Sequence, residues 1–555
     1  MNHSPSAAHT ATPQLRPVGT KGWLVVLPDL SSVMTWHAQL TCTPLRGQVE
    51  AIAAATTVLV LFATRADAQR ARTELQSFTP AQRSASSSRN ITIDVIYDGE
   101  DLAGVAEHLG ISTEELIERH TQQQWTAAFG GFAPGFTYCV PLLGEETSSS
   151  TNDGGSFEWN IPRLETPRTA VPNGAVGLAG DFSAVYPRTS PGGWQLIGRT
   201  ETPMWDTHAD PPALLQPGDT VTYRSVRDQA TVTSTHAPEE TKRPSRPRTP
   251  SRPAFTVDNP GLQSLFQDSG RQGFGDMGVN RSGAADRSSA WVANDVLGNP
   301  SASAVIENIG GITLTATTDT VVCVTGALAT VTVDAAEHDL ATPVLVRAGA
   351  TLTIQPTSEP GSGLRHYIAA RGGFIAEQVL ESSSSDVLSG LGPRPLEQGD
   401  SLSIGRRTAT ASVGAAGSNP LRTTGELRCI PGPRDDWFSR QEFERFCSTD
   451  WIVTGQSNRV GLRLALPDED ESGVDNKNTP LERSHEGELA SEGMVAGCVQ
   501  VPPSGLPVVF LADHPVTGGY PVIATVLEED LDIAAQLAPG QTVRFTALNP
   551  ETPEN

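Results

Sequence analysis

The sequence predicts a mainly β protein with an α+β domain at its N-terminus. A pattern of two glycines, an aromatic residue, an apolar stretch and a glycine turn occurs three times. Each copy precedes an alternating segment typical of a half-buried strand. The copies are Gly192-Gly193 before TVTYRS, Gly372-Gly373 before SLSIGR and Gly518-Gly519 before TVRFTA. The 52 glycines and 42 prolines also suit many strands joined by tight turns. Repeats at domain-sized separations predict three similar β modules.

The 555 residues are enough for about three to four domains with separate cores. The strongest boundary signal is the segment PEETKRPSRPRTPSRP, which has no apolar periodicity and is kept extended by its prolines. We expect six segments: a disordered leader at 1–20, an α+β domain at 21–129, a β domain at 130–228, a Pro/Arg-rich linker at 229–255, and β modules at 256–415 and 416–548.

Within the N-terminal region, WLVVLP and ITIDVIY are expected strands, and VEAIAAATTVLVLF is expected to form one buried strand. Apolar spacing predicts helices over 67–78, 102–109 and 113–122. Ser112 is the expected N-cap of the last of these helices. A further helix is predicted over 288–297, among many strands.

Composition excludes several classes of function. The chain has 39 basic and 63 acidic residues and a net charge of −24, which argues against a nucleic-acid or anionic-membrane surface. The six cysteines form no CxxC pair, so we expect neither a disulfide framework nor a metal site. The N-terminus lacks a secretion signal and no apolar run could span a membrane, so a cytoplasmic location is expected.

Two stretches in the β domain at 130–228 contain candidate binding residues. In GFAPGFTY, the Gly135 amide could approach a ligand and Tyr138 could form an apolar wall, although a packed turn would use the same residues. Arg163 and Arg168 lie on a proline-stiffened segment, where a guanidinium could grip a carboxylate or phosphate. Either arginine could instead pair with an acid of this acidic chain.

Two further stretches lie in the C-terminal half. Asp286 is a candidate catalytic residue, although a place in the first turn of the predicted helix would also explain it. The neighbours Asp513 and His514 could supply a general base. The remaining candidates for substrate or anion binding are Arg271, Gly518, Gly519 and Tyr520. No GxxxxGK[ST], GxSxG or HExxH motif occurs, which gives no support to a phosphate-loop ATPase, serine hydrolase or zincin.

These stretches resemble a known pair of families. GFAPGFTY, PRLETPRTAVPNGAVGLAG and YPRTSPGGWQLIGRT are similar to the B subunit of bacterial 5-oxoprolinase, the Kip inhibitor or allophanate hydrolase subunit 1 family. Residues 256–548 resemble the C subunit, the allophanate hydrolase subunit 2 family, through NPGLQSLFQDSGRQGFGDMGV, SGAADR, ANDVLGNP, ARGGF, SNRVGLRL and TGGYPVIATVL. In tandem, the two halves also resemble the carboxyltransferase region of urea carboxylase.

The resemblance implies cyclophilin-like β-barrel modules, one in the B-like half and two in the C-like half. It implies a hydrolase that opens 5-oxoproline, a small cyclic amide, to glutamate in an oligomeric complex with a separate A subunit. It also implies ATP, accompanied by Mg²⁺. The alternatives are a carboxyltransferase that uses biotin supplied by partners, and a binding protein that inhibits a kinase.

The chain departs from the family pattern at Asn458, where an aspartate is usual, at Ala175, where the B-like family usually has a serine, and at one run. Leu380-Glu381-Ser382-Ser383-Ser384-Ser385 stands where the pattern of the C-like family reads Leu-Gly-Ser-Arg-Ser-Thr. The arginine is absent and a glutamate replaces a glycine, so we expect no anion site at this run.

Overall fold

The computed structural model of the protein describes residues 13–80, 89–142, 159–164, 166, 168–227, 250–406, 408–467, 479–487 and 489–548. The fold is mostly β, as the sequence predicts. Residues 1–12 of the predicted leader and 229–249 of the predicted linker lie outside the described ranges. The described chain forms four successive modules, each with one or two sheets.

The first module is an antiparallel sheet in the order β1-β2-β4-β3, with helices packed against it. Its elements are β1 (Gln14–Val18), β2 (Gly22–Val26), α1 (Leu30–Cys42), β3 (Gln48–Ala53), β4 (Thr57–Phe62) and α2 (Arg65–Gln76). Three expectations are corrected here. Part of the predicted leader forms β1, and α1 is absent from the prediction. The expected single strand divides into β3 and β4, because the chain turns where Ala54 N donates to Thr57 O.

The second module is a nearly closed barrel. Its elements are β5 (Asn90–Val95), α3 (Leu102–Leu109), α4 (Thr113–Gln122), β6 (Trp125–Gly130), β7 (Thr137–Pro141), β8 (Arg168–Val171), β9 (Ala175–Ala179), β10 (Phe182–Val185), β11 (Ser190–Gly192), β12 (Gln195–Arg199) and β13 (Thr220–Ser225). The main sheet runs β12-β9-β10-β7-β6-β13-β5, and a bridge between Ile96 and Arg199 links its two edges. Ser112 caps α4 as predicted, accepting Glu115 N at 3.1 Å. The predicted boundary at 129 falls inside β6, because β5, α3 and α4 belong to this barrel.

The third module consists of two sheets packed around a common apolar core. Its elements are β14 (Ser251–Asn259), β15 (Gln263–Gln267), a short 3₁₀ helix (Gly275–Met277), α5 (Arg287–Val296), β16 (Val305–Ile309), β17 (Ile312–Ala316), β18 (Thr320–Gly326), β19 (Ala329–Val333), β20 (Ala336–His338), β21 (Val344–Val346), β22 (Thr351–Pro356), β23 (His366–Ala370), β24 (Phe374–Ile375) and β25 (Ser401–Gly405). The start of β14 lies within the predicted linker, because residues 251–255 pair with β25.

The fourth module is a closed barrel in the order β26-β33-β30-β31-β28-β27-β34. Its elements are β26 (Glu426–Pro431), α6 (Arg440–Ser448), β27 (Trp451–Val453), β28 (Gly461–Ala465), β29 (Glu492–Gly493), β30 (Cys498–Gln500), β31 (Val508–Phe510), β32 (Thr517–Gly518), β33 (Val522–Val526), α7 (Leu531–Gln536) and β34 (Thr542–Ala547).

The second and fourth modules are internal repeats. β13 pairs parallel with β5 and antiparallel with β6, and β34 pairs in the same way with β26 and β27. In both modules a tryptophan opens the second strand and its indole donates to the preceding helix, Trp125 to His120 O at 3.2 Å and Trp451 to Phe446 O at 3.0 Å. β25, after the middle glycine copy, is antiparallel to both neighbours. The expected threefold similarity therefore holds for two modules.

Candidate functional site

The N-terminal and C-terminal halves are joined by a shared apolar core. Nine buried side chains from the first and fourth modules form one cluster: Val18, Leu24, Ile52, Leu59, Met494, Cys498, Phe510, Val516 and Val522. Burying such side chains stabilises a contact by about 1.5–3 kcal/mol each. The halves are therefore packed against each other as one body along this seam.

The GFAPGFTY turn docks on the same seam. Phe132 N donates to Thr517 Oγ1 at 3.2 Å, and Gly135 N donates to Met277 O at 2.9 Å. Gly278 has a φ of +75°, and a Cβ there would lie 2.2 Å from Ala133 O. Only glycine permits so close a backbone approach. The Gly135 amide is thus used in docking the halves, which is the packed-turn alternative.

Tyr138 lies beneath this turn in an aromatic cluster. It is 6% exposed, stacks on Phe129 with ring centroids 4.4 Å apart, and meets Trp194 edge-on at 5.5 Å. Burial raises the pKa of Tyr138, while the charge of Arg163 opposes that shift. The structure therefore brings Tyr138 and Arg163 together with Thr517, next to the predicted Gly518.

The remaining predicted residues of that repeat copy line the outer part of the seam. Gly518 pairs with Glu492 between β32 and β29, and a Cβ on Gly518 would lie 2.5 Å from Gln500 Nε2. Gly519 follows it, and Tyr520 is 45% exposed while its carbonyl accepts from Gln500 Nε2 at 3.1 Å. These residues shape the edge of the seam, and none of the three lines the cavity described next.

A cavity of about 230 Å³ lies in the seam, between the first module and the C-terminal half. Its apolar wall includes Ile52, Leu61 and Val516. Its ionisable lining residues are Lys21, Glu50, Arg281, Arg287, His514 and Glu528. A concave site with a few converging polar groups is the usual form of a small-molecule site. We take this seam cavity as the candidate active site.

One carboxylate serves two of the three cations in the seam cavity. Glu528 receives Lys21 Nζ at 2.5 Å and Arg287 Nη1 at 2.8 Å. Although burial opposes it, the hydrogen bond from Lys21 and the charge of Arg287 lower the pKa of Glu528. Within the part of the chain that the structure describes, Arg281 donates its Nε alone, to Ser269 O at 3.0 Å. Burial and the neighbouring Arg287 charge lower the pKa of Arg281 to about 10.

Glu50 stands in the opposite wall, on β3. Its Oε1 accepts the Gly275 amide at 2.5 Å. Burial raises the pKa of Glu50 to about 7, with the Asp276 charge adding to the shift and the Gly275 amide opposing it. Asp276 is itself paired with His37, at 2.8 Å between Asp276 Oδ1 and His37 Nε2. Glu50 can therefore change its charge near neutral pH.

His514 lines the seam cavity as a neutral imidazole. Burial lowers its pKa, with the Pro515 carbonyl opposing that shift. Nδ1 lies 2.8 Å from Pro515 O, so it carries the proton and Nε2 keeps the lone pair. A neutral imidazole with a free acceptor nitrogen can take a proton from water. His514 therefore lines the cavity, and its role as a base stays a prediction.

Asp513 does not form a dyad with His514, and that prediction is wrong. The carboxylate receives Arg459 Nε at 2.9 Å, Arg459 Nη2 at 2.8 Å and Ser282 Oγ at 2.6 Å. Arg459 also reaches Glu307 at 2.6 Å. All these side chains are at most 2% exposed. Adjacent residues of a loop point to different sides, so Asp513 anchors a buried ion network while its neighbour faces the cavity.

Asp286 and Arg271 are also buried away from the cavity lining. Asp286 caps α5, accepting Ser289 N at 2.9 Å and Gln536 Nε2 at 2.7 Å, which is the helix-terminus alternative. Arg271 is 2% exposed and donates Nη2 to Ser384 O. Both lie on loops that lead into the core. Their burial cannot be read from their positions in the sequence.

Arg168 is bound by two carboxylates. Its Nε lies 2.7 Å from Glu100 Oε1 and its Nη2 lies 2.8 Å from Asp101 Oδ1. The same guanidinium donates to Trp194 O at 3.2 Å. The alternative of a pairing with nearby acids therefore describes Arg168, and the anion-binding prediction for this residue is wrong.

The departing Leu380–Ser385 run holds an internal carboxylate. Asp268 accepts from Ser382 Oγ at 2.7 Å, Ser383 N at 2.7 Å and Ser384 Oγ at 2.6 Å. The serines therefore use their donors within the third module. Glu381, which replaces the family glycine, has a left-handed φ of +65°.

Five of the six ionisable lining residues were not among the sequence candidates: Lys21, Glu50, Arg281, Arg287 and Glu528. Arg281 stands immediately before the SGAADR motif. That adjacency is the signal that could have found it.

Among the described residues, no group of three or more His, Cys, Asp or Glu side chains could hold a metal ion. Within the same ranges, no helix is long and apolar enough to cross a membrane.

Comparison with protein-family models gives two matches. Residues 13–215 match the carboxyltransferase domain, subdomain C and D, and residues 277–547 match the carboxyltransferase domain, subdomain A and B. The crystal structure of TTHA0988 is similar over 95% of this chain and 99% of that one, with 30% identity and a TM-score of 0.76. The whole two-half arrangement therefore occurs in a solved structure.

Three curated proteins match parts of the chain. The 5-oxoprolinase C subunit of Escherichia coli (strain K12) is 33% identical over 295 residues, which are 52% of this chain and 90% of the relative. The 5-oxoprolinase B subunit of Escherichia coli O157:H7 is 40% identical over 139 residues, 24% of this chain and 58% of the relative. Urea amidolyase of Saccharomyces cerevisiae is 30% identical over 322 residues, 54% of this chain and 17% of the relative. The chain therefore belongs to the carboxyltransferase-domain family, and it carries in tandem the segments similar to the B and C subunits of 5-oxoprolinase.

Proposed function

We propose that this chain is the fused B–C subunit of an ATP-dependent 5-oxoprolinase-type hydrolase that works with a separate A subunit in the cytoplasm. One observation carries the proposal: the seam cavity takes residues from both halves, Glu50 from the first and His514 from the second. The two halves match the B and C subunits of the same enzyme. A site shared between them gives a physical reason for joining them in one chain.

The lining residues suit the opening of a small lactam that bears a carboxylate. Arg281 would bind the carboxylate, since its terminal nitrogens have no hydrogen-bond partner within the described ranges. His514 Nε2 would take a proton from the attacking water. Water would add to the ring carbonyl carbon and the C–N bond would break, leaving a carboxylate and an amine.

ATP hydrolysis to ADP and inorganic phosphate would drive the ring opening. Pockets for drug-sized ligands and cofactors measure roughly 300–1,000 Å³, and the seam cavity is smaller, at about 230 Å³. The volume of the cavity therefore suits the lactam and is too small for a nucleotide. We propose that ATP, with Mg²⁺, binds outside this cavity in the assembled complex.

The proposal is tested by reconstitution. The purified chain is combined with the A subunit from the same organism, ATP, Mg²⁺ and 5-oxoproline, and the release of glutamate and ADP is measured. We expect both products only when both proteins are present. An inactive complex would refute the proposal. A control variant, Arg440→Gln, changes an arginine that is 93% exposed on α6 and should retain activity.

A second candidate is a carboxyltransferase that acts with biotin supplied by a partner. The observations that favour it are the descriptions of the two family models and the match to urea amidolyase. The same purified chain is incubated with carboxybiotin and urea. Carboxyl transfer, together with no glutamate release from 5-oxoproline, would favour this candidate over the first.

A further inference from the structure

The charges in the seam cavity do not balance. Lys21 and Arg287 share the single carboxylate of Glu528. The charge of Arg287 opposes that of Arg281, and the charge of Glu528 offsets part of this repulsion. Three cations and one constant anion leave an excess of positive charge. An anion entering the cavity would remove this repulsion and regain the hydrogen bonds that water otherwise supplies.

Arg281 is the cation prepared to bind that anion. Its Nε is fixed by Ser269 O at 3.0 Å, which orients the guanidinium plane. No described residue accepts a hydrogen bond from its terminal nitrogens. Two parallel N–H donors suit one carboxylate better than a point charge such as Lys21 does. The chain therefore presents a carboxylate receptor in the wall of the cavity.

Glu50 determines whether the cavity favours an anion. Its carboxyl lies on the opposite wall, held by the Gly275 amide. The charge that acts on it is Asp276 on the 3₁₀ helix, which is paired with His37 on α1. The other ionisable groups that line the cavity are Lys21 after β1, Arg281 and Arg287 before and on α5, His514 before β32, and Glu528. On β29, which packs against β3, Glu492 is neutralised by Arg434. When Glu50 is ionised, its charge opposes a bound carboxylate.

We propose that the seam cavity binds a single-ring amide carboxylate together with one proton, the carboxylate on Arg281 and the proton on Glu50. This inference rests on the proposed function and names how its substrate is recognised. The volume agrees with this class, since about 230 Å³ lies below the roughly 300–1,000 Å³ of pockets for drug-sized ligands and so suits a small single-ring molecule. Protonated Glu50 can donate to the amide carbonyl, while an ionised Glu50 cannot.

The test measures binding to the full chain alone, with neither the A subunit nor ATP present. The probe is 5-oxoproline, titrated calorimetrically at pH 6 and pH 8.5 in buffers of different ionisation enthalpy. Because burial holds the pKa of Glu50 at about 7, the competent form is depleted at the higher pH. We expect binding about tenfold or more weaker at pH 8.5, together with proton uptake at pH 8.5, where Glu50 must gain the proton that it already carries at pH 6.

Two variants and one analogue separate the roles. Glu50→Gln keeps a neutral donor and should remove the pH dependence while retaining the affinity seen at pH 6. Arg281→Gln should weaken binding by at least about tenfold at both pH values. The uncharged lactam 2-pyrrolidinone should bind weakly and without dependence on Arg281. Arg440→Gln, far out on the surface, should match the wild type.

Three results would overturn the inference: no binding at pH 6, equal affinity at both pH values without proton uptake, or wild-type affinity in Arg281→Gln. The turnover assay reports separately on the proposed function. If the complex is active but the chain binds 5-oxoproline independently of pH, only the inference about Glu50 is refuted. If binding is linked to a proton but the complex never turns over 5-oxoproline, the proposed function is refuted and the binding of the carboxylate is not.

Discussion

The Arg459–Asp513 ion pair is fully buried, and its removal should be among the most destabilising single changes in this chain. Arg459→Ala would leave Asp513 charged in the core without its arginine and Glu307 with Arg365 alone. Breaking such a pair costs about 3–5 kcal/mol. Denaturant unfolding measures the change in the free energy of unfolding. Arg544→Ala, which breaks an exposed pair with Asp450, is the matched control and should change little. Equal effects in the two variants would contradict the assignment of a structural network.

Arg168 should contribute to the stability of the fold and not to the binding of substrate. Arg168→Ala removes the partner of Asp101, whose carboxylate also accepts Leu196 N at 2.6 Å. We expect a loss of about 1–3 kcal/mol in the free energy of unfolding, because a polar group then loses its partner. The KM for 5-oxoproline in the complex should stay the same. A higher KM at unchanged stability would return Arg168 to the substrate site.

The loop before β25 stores backbone strain at Glu381. Its φ of +65° is the left-handed conformation that glycine adopts without penalty. Glu381→Gly should therefore stabilise the protein by about 1 kcal/mol, near the lower end of the cost of such strain. Glu377→Gly is the matched control in the same loop at an ordinary φ, and it should destabilise. Thermal unfolding of both variants gives the signs, and equal signs would contradict the argument.

Helices and repeats show what local sequence signals can predict. The bounds of α3 and α4 follow from apolar spacing and a capping serine, because both signals act within one turn. α1 is absent from the prediction although it carries the same local signals: buried Val33, Trp36 and Leu40 recur at helical spacing, and Asp29 caps the helix by accepting Ser32 N at 2.7 Å. The glycine repeat marks three closing strands. Whether a closing strand pairs parallel or antiparallel depends on the distant first strand of its module.

At the scale of the whole molecule, docking of the halves depends on backbone approaches that a side chain would block. Gly278→Ala would place a Cβ 2.2 Å from Ala133 O at a positive φ. We expect the seam to open locally, with faster hydrogen exchange at the Gly135 amide and loss of turnover. Gly104→Ala is the matched control, since nothing lies within 4 Å of its Cβ position in α3. It should stabilise by up to about 1 kcal/mol. Unchanged exchange in Gly278→Ala would contradict a tightly packed seam.

The candidate site was predictable only in part, for a physical reason. His514 carries a chemical group that suggests a role wherever it lies, and it lines the cavity. Glu50 and Arg281 are residue types common on protein surfaces. Their shifted pKa values arise from burial where the two halves meet, and the two residues are more than 200 positions apart in the chain. Asp513 misled for the converse reason, because its partner Arg459 is 54 positions away. Local patterns identify reactive groups, while pairing across the chain decides which of them are free to act.

The central claim is that the two halves form one site for the ATP-dependent opening of 5-oxoproline. The most direct measurement is the steady-state rate of glutamate formation by the complex with the A subunit, for the wild type and for His514→Gln, at saturating ATP and 5-oxoproline. We expect turnover by the wild type and a kcat lower by about 100-fold or more in the variant, because the base is lost from the cavity. A wild-type complex that releases no glutamate, or a variant with the same kcat, would contradict it.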